Sequence, residues 1–156
     1  MQINSFRGDY GFLSNMHSCS VWFEGIVFPS AEHAYQAAKF TDWSDRQHIA
    51  KMASPVEAKR YPKFVRTHGL EINHPLDPDF DRYKIKQMKR ILYDKFVNHK
   101  DMGVRLLATA PAELIEGGWW HDGFWGTCTC GKCQPGQNNL GKLLMEIRDI
   151  LKGMRL

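Results

Sequence analysis

The strongest constraint in this sequence is an abrupt change of pattern at Pro29-Ser30. Upstream, Val21-Trp22-Phe23 and Ile26-Val27-Phe28 are β-prone triplets on either side of Glu24-Gly25, the pattern of a hairpin with a two-residue turn. Downstream, Ala31 to Phe40 reads as a helix. The Ser30 hydroxyl can accept from an orphan amide of the first turn, and Glu32 stands near the positive end of the helix dipole. Pro29-Ser30 ends the hairpin, and the helix follows at once.

The segment before the hairpin, from Ile3, mixes Gly8, Gly11, Ser14 and Asn15 with Phe6, Tyr10, Phe12 and Leu13, and reads as short strands and tight turns rather than helix. Further helices are expected at about Ser44 to Ala53, Pro55 to Val65, Asp79 to Asn98 and Met102 to Ala108. In the longest, Ile85, Met88, Leu92 and Phe96 recur at helical spacing, while Lys84, Lys86, Lys89 and Arg90 form a solvated face. A closing helix puts Leu140, Leu143, Leu144, Ile147, Ile150 and Leu151 on one side and takes Asn138 or Asn139 as its cap. Glu71 to Pro78 reads as a loop, because Pro75 and Pro78 push the residues before them out of the α region. Ala112 to Glu116 is strand-like and leads into Gly117 to Gly126, where glycines alternate with large aromatics, a poor helix and a good pocket wall.

With 156 residues, 43% of them hydrophobic and spread along the whole chain, one core in a single domain over 1–156 is expected, and wholesale disorder or a coiled coil is excluded. A net charge of +4 suits a phosphate-bearing ligand without pointing to one. No apolar run approaches the ~18 residues of a spanning helix, and MQINSFRGDYGF has neither the charge nor the apolar stretch of a signal peptide. The expected location is the cytoplasm, with no membrane partner.

Cys128, Cys130 and Cys133 fall within six residues while Cys19 lies far upstream, which is no disulfide framework. C-x-C-x-x-C can supply zinc thiolates, with His121 or Cys19 as a fourth ligand. No second C-x-x-C accompanies it, so the expectation is a glycine-containing turn with metal-free thiols, and no cofactor.

On the Ala31 helix, steps of 100° place Ala31, Ala34, Tyr35 and Ala38 on a close-packing face, with Glu32, Gln36 and Lys39 on the adjoining stripe. A carboxylate, an amide and an ammonium aimed at one spot suit the binding and turnover of a sugar or base; a surface ion-pair row has the same spacing. Trp120 and Trp125 can stack on a planar base with Asp122 held between them, or can anchor a core. The turn Gly136 to Gly141 opens a helix whose free amides can receive a phosphate or a carbonyl oxygen, although it matches neither a Walker loop nor a dinucleotide fingerprint. The histidines form no Ser or Cys triad and no H-E-x-x-H, which removes serine-hydrolase and metalloprotease chemistry.

FLSN at Phe12 to Asn15, EGIVFPSAEHAYQAAKF at Glu24 to Phe40, WHDGFWG at Trp120 to Gly126 and NNLGKLLMEIR at Asn138 to Arg148 together resemble the NADAR family, also called YbiA-like, in order and over nearly the whole chain. The resemblance implies an α+β YbiA-like fold, mostly helical with short strands. It also implies an N-glycosidase that cuts the bond between a ribose-derived C1 and a nitrogen. Two substrate classes follow from it: phosphoribosylamino-pyrimidine intermediates of riboflavin synthesis, or ADP-ribosylated guanine in nucleic acid. Carried over by position, the family's catalytic pair falls on Glu32 and Lys39, and Asp122 of the W-x-D element joins them. Asn15, Gln36, Trp120, Phe124, Trp125, Gly126 and Asn138 become the substrate-binding residues.

The chemistry agrees. An oxocarbenium-like state needs a carboxylate near C1, for which Glu32 is the first choice. Lys39 can orient a phosphate or hydroxyl, or form a Schiff base with an opened C1 if burial lowers its pKa, and the sequence does not separate these. The alternative is a non-catalytic ADP-ribose or NAD binding module, which need not keep an acid and a lysine on one stripe. A nucleic-acid binder without catalysis calls for a long basic stripe, and the lysines here are scattered.

Overall fold

The computed structural model describes residues 1–68, 76–118 and 121–154. In chain order the elements are β1 (Gln2–Ile3), a 3₁₀ turn (Gly8–Leu13), β2 (Ser18–Phe23), β3 (Ile26–Ser30), α1 (Ala31–Ala37), α2 (Trp43–Ala50), α3 (Pro55–His68), α4 (Phe80–Val97), α5 (Lys100–Leu107), β4 (Glu113–Leu114), β5 (Gly117–Gly118), β6 (Thr127–Cys128) and α6 (Asn139–Gly153). They fall into two compact units, Asn15–Lys95 and the remainder. Among the described residues, no helix is long and apolar enough to cross a membrane.

The unit Asn15–Lys95 is built on the expected hairpin. β2 pairs antiparallel with β3, with Phe23 opposite Ile26 and Val21 opposite Phe28. Glu24 and Gly25 both take positive φ, 47° and 86°, the two-residue turn whose twist matches the strands. The second strand runs on through Pro29 to Ser30 before α1 begins. α1 packs on both strands and on α2 and α3. Its small residues Ala31, Ala34 and Ala37, and Ala38 just beyond it, are all buried, which lets these neighbours approach closely. On α4, Asp94 accepts from the Trp22 amide at 2.7 Å, and Arg90 lies over the Phe23 ring at 5.0 Å. Arg46 and Arg90 both clasp Glu24 at the turn, at 2.5 and 2.8 Å.

In the other unit β1 pairs parallel with β4, and β5 with β6. α6 buries Leu140, Leu143, Leu144, Ile147 and Leu151 and packs on α5 and β4. Arg148 on the same helix is also buried, its Nη1 donating to the Thr109 hydroxyl at 2.9 Å and the Ala112 carbonyl at 2.8 Å.

Several expectations need correction. The N-terminal stretch is not all strand and turn, since Gly8–Leu13 coils into a 3₁₀ helix that buries Phe12 and Leu13. α1 is α-helical only to Ala37, and a tighter turn, with Lys39 N–H donating to Gln36 O at 3.2 Å, carries the chain to Phe40. α3 continues through Pro62 to His68. On α4 the buried stripe includes Ile91 and the fully buried Lys95, whereas Ile85 is 43% exposed, so the burial axis is rotated from the one the apolar spacing suggested. Most of the expected 71–78 loop lies outside the described residues, though Leu76 bridges to Phe40 and the Asp77 amide donates to Lys39 O at 2.7 Å.

Candidate active site

The site residues of the first unit are organised by the start of α1. The Ser30 hydroxyl caps it, accepting from the His33 amide at 3.2 Å, and lies 2.7 Å from His33 Nδ1. His33 Nε2 reaches Met52 O at 3.2 Å. Burial holds the His33 pKa below its ordinary 6.5, which fits a neutral ring that donates from Nε2 and accepts from the Ser30 hydroxyl.

Glu32 occupies the first turn of α1, where the positive end of the helix dipole favours a negative charge. Its amide donates to Asn15 O at 3.0 Å, and its Oε1 accepts from Gln36 Nε2 at 2.7 Å. Glu32 is 7% exposed and Gln36 3%, so the stripe is not the surface ion-pair row that the spacing also allowed. Lys39, half-buried in the turn after α1, sets its Nζ 4.9 Å from the centre of the Tyr35 ring. Burial drives the Lys39 pKa down from 10.5 to about 8; the Glu32 carboxylate resists that fall, Arg66 and Lys59 add to it, and Asp81 opposes it. Tyr35, assigned by rotation to packing, is thus a floor for the lysine, and its i, i+4 relation to Lys39 is the signal that finds it.

Two further atoms stand out. Asn15 donates its Nδ2 to Met88 Sδ at 3.5 Å, yet its Oδ1 is buried with no partner among the described residues, and so is Oε1 of Gln36. A buried acceptor left without a donor is costly, and a ligand bearing hydroxyl or amine groups relieves it.

The second unit holds the glycine and aromatic loop, of which Trp120 lies outside the described residues. Asp122 Oδ1 accepts from two amides, those of Phe124 at 3.0 Å and Trp125 at 2.8 Å, and so shapes the turn that carries them. The Phe124 and Trp125 rings meet edge to face at 4.9 Å, both half-buried. Gly126 has a packing reason to be glycine, because a Cβ there would collide with the Glu116 carbonyl oxygen.

Of the two acceptors expected for the amides at the start of α6, a phosphate or a carbonyl oxygen, the structure supplies the carbonyls. The amides of Gln137, Asn138, Asn139 and Leu140 donate to the carbonyls of Gly123, Gly126, Phe124 and Trp125, at 2.9 to 3.3 Å, so the aromatic loop itself fills the helix start. Asn138 does not cap α6 with its side chain either. At φ 50° it turns aside, accepting from the Glu116 amide at 2.9 Å and donating to Leu114 O at 2.9 Å. Both ends of its amide are thereby committed to the backbone at the end of β4 and just after it.

His121 and the three clustered cysteines converge, with their donor atoms all within 4.8 Å of one another. Cys19 is placed on β2, its thiol 3.7 Å from the Ser20 carbonyl. A separate open cleft of about 500 Å³, lined by His48, Met52, Glu57, Arg60, Tyr61 and Phe64 among others, contains none of the residues picked out from the sequence.

The NADAR domain matches this chain over residues 4–152. The N-glycosidase YbiA of Shigella sonnei (strain Ss046) is 38% identical over 147 residues, covering 94% of this chain and 85% of that protein. A riboflavin biosynthesis protein of Vibrio vulnificus (strain YJ016) is 31% identical over 148 residues, covering 92% of this chain and 36% of its own length. The NMR structure of the E. coli protein YbiA matches with a TM-score of 0.76 at 35% identity, over 99% of this chain and 86% of that one. The expected α+β architecture, mostly helix with short strands, is the one found.

Proposed function

The chain belongs to the NADAR domain family and is an N-glycosidase of that type, and from that premise we propose that it hydrolyses the bond between ribose C1 and an exocyclic amino nitrogen, with Lys39 as nucleophile and Glu32 as proton carrier. The observation that carries this reading is the pairing of a buried carboxylate with a lysine whose pKa is about 8 on the same stripe. At that value a useful share of the amine is neutral near pH 7, which an ordinary surface lysine never offers.

The steps balance without an outside reagent. A ribose joined to an exocyclic nitrogen opens to an imine as its ring oxygen takes up a proton. The neutral Lys39 Nζ adds to C1, and Glu32 passes a proton to the departing amine. The C1–N bond to the base then breaks, leaving an imine between Lys39 and C1. Water adds to that imine and expels the lysine, so the net change is hydrolysis to an aldehyde sugar and a free amine. The oxygens of Asn15 and Gln36, without partners among the described residues, accept from ribose hydroxyls. Asp122 serves by holding the turn that carries the Phe124 and Trp125 rings.

Among substrates with this linkage, a phosphoribosylamino-pyrimidine is the preferred reading, supported by a relative that is a riboflavin biosynthesis protein. The test is a mass-spectrometric product assay offering this pyrimidine and ADP-ribosylated guanine DNA side by side. Release of ribose 5-phosphate and the free aminopyrimidine is expected. Cleavage of the DNA adduct alone would move the substrate to ADP-ribosylated nucleic acid, and binding without cleavage of either would leave an ADP-ribose module.

A further inference from the structure

We propose that His121, Cys128, Cys130 and Cys133 bind one structural zinc ion, against the expectation of metal-free thiols drawn from their spacing. His121 Nδ1 lies 3.0 Å from Cys133 Sγ, 3.5 Å from Cys128 Sγ and 3.8 Å from Cys130 Sγ. The Cys130 and Cys133 sulfurs are 3.5 Å apart. A tetrahedral zinc with Zn–S of about 2.3 Å and Zn–N of about 2.0–2.1 Å requires S···S edges of about 3.8 Å and N···S edges of about 3.6 Å. The four edges given above span 3.0 to 3.8 Å and all four donors lie within 4.8 Å of one another, close enough for one ion to gather them at these bond lengths.

Separate features of the backbone fit the same reading. The Cys130-Gly131-Lys132-Cys133 turn uses Gly131 at φ 75°, and the Lys132 amide donates to Cys130 Sγ at 3.4 Å, a bond that steadies a thiolate. Cys128 is held in register by β6, opposite Gly118. His121 is a non-glycine residue at φ 62°, a left-handed conformation that needs a compensating interaction, and ligation by its Nδ1 supplies one. A thiol pair at Cys130 and Cys133 would account for neither His121 nor Cys128. Three thiolates and an imidazole are a ligand set that zinc favours, and four protein ligands leave no open position, which makes the site structural rather than catalytic.

The ion clips the segment His121–Cys133 into a closed loop. Asp122 and the turn it shapes follow the first ligand directly, so the ion steadies the turn that carries Phe124 and Trp125. The site itself is independent of which glycoside is cleaved.

The experiment measures metal, not activity. The full-length protein, purified reduced and without added metal, is assayed by elemental mass spectrometry and by zinc release on thiol modification. One zinc per chain is expected. Exchange with Co²⁺ should give thiolate charge-transfer absorption and the intense d–d bands of a tetrahedral ion. Cys133→Ser and His121→Ala should weaken affinity at least about tenfold in competition with a chromophoric chelator. His121→Cys should keep the ion and so separate ligand loss from misfolding, and Cys19→Ser should leave it bound. Reduced, folded protein that takes up neither zinc nor cobalt overturns the proposal, as does an octahedral cobalt spectrum or loss of the ion from Cys19→Ser alone.

Discussion

The pH dependence of kcat/KM tests the Lys39 mechanism most directly. With Lys39 titrating at about 8, the neutral share of the amine is about 9% at pH 7, half at pH 8 and about 91% at pH 9. If the neutral amine attacks C1, kcat/KM rises about tenfold between pH 7 and pH 9 and levels off above that. A lysine at its ordinary 10.5 would instead rise about a hundredfold over the same interval with no plateau. The magnitude follows from the surroundings, because burial and the nearby Arg66 and Lys59 outweigh the Glu32 and Asp81 carboxylates. The assay is initial-rate product release by mass spectrometry across pH 6 to 10, run in parallel with borohydride quenching to trap a sugar adduct on Lys39. A profile that falls through pH 8 would mean that the ammonium is the working form. That result, an active sample without adduct, or substantial activity in Lys39→Arg, which keeps the charge but is not nucleophilic, would transfer the attack to water assisted by Glu32.

Other consequences are as specific. Glu32→Gln should abolish turnover while leaving thermal unfolding close to that of the parent, since the amide keeps the shape but neither the charge nor the proton; near-normal turnover refutes the assignment. Asn15→Leu removes a buried oxygen that has no partner among the described residues, so stability should change little, within about 1–2 kcal/mol, while KM rises; an unchanged KM would leave that oxygen without a ligand role. Trp125→Ala should weaken substrate binding more than folding, and calorimetry showing a large loss of Tm with affinity retained would make the ring a structural anchor. Burial works to raise the Glu24 pKa, but Arg90 and Arg46 together hold it below its ordinary 4.5. Its clasp therefore stabilises the fold above that value and is lost as pH falls through the lowered pKa, and Glu24→Gln should flatten this part of the acid unfolding curve, costing about 1 kcal/mol at neutral pH.

What the sequence determined by itself was local. The Glu24-Gly25 turn, the Ser30 cap and the order of helices rest on contacts a few residues apart, and all are found in place, with helix ends shifted by a few residues. The 100° step likewise put Glu32 and Gln36 on one stripe, but whether that stripe meets water or the interior depends on what packs over it. Burial turned a spacing shared with any surface ion-pair row into a lysine poised near neutrality. The same holds for Arg148 and Lys95, polar residues on helix faces that only their packed surroundings make interior. At the start of α6 the sequence showed amides free to receive a phosphate or a carbonyl oxygen, and the tertiary structure decided for the carbonyls of Gly123 to Gly126. His121 and its cysteines lie seven to twelve residues apart along the chain, a separation that says nothing of direction. Their convergence is decided by the β5–β6 pairing and the Gly131 turn, because a ligand set is defined by distances in space, and those exist only once distant segments have paired.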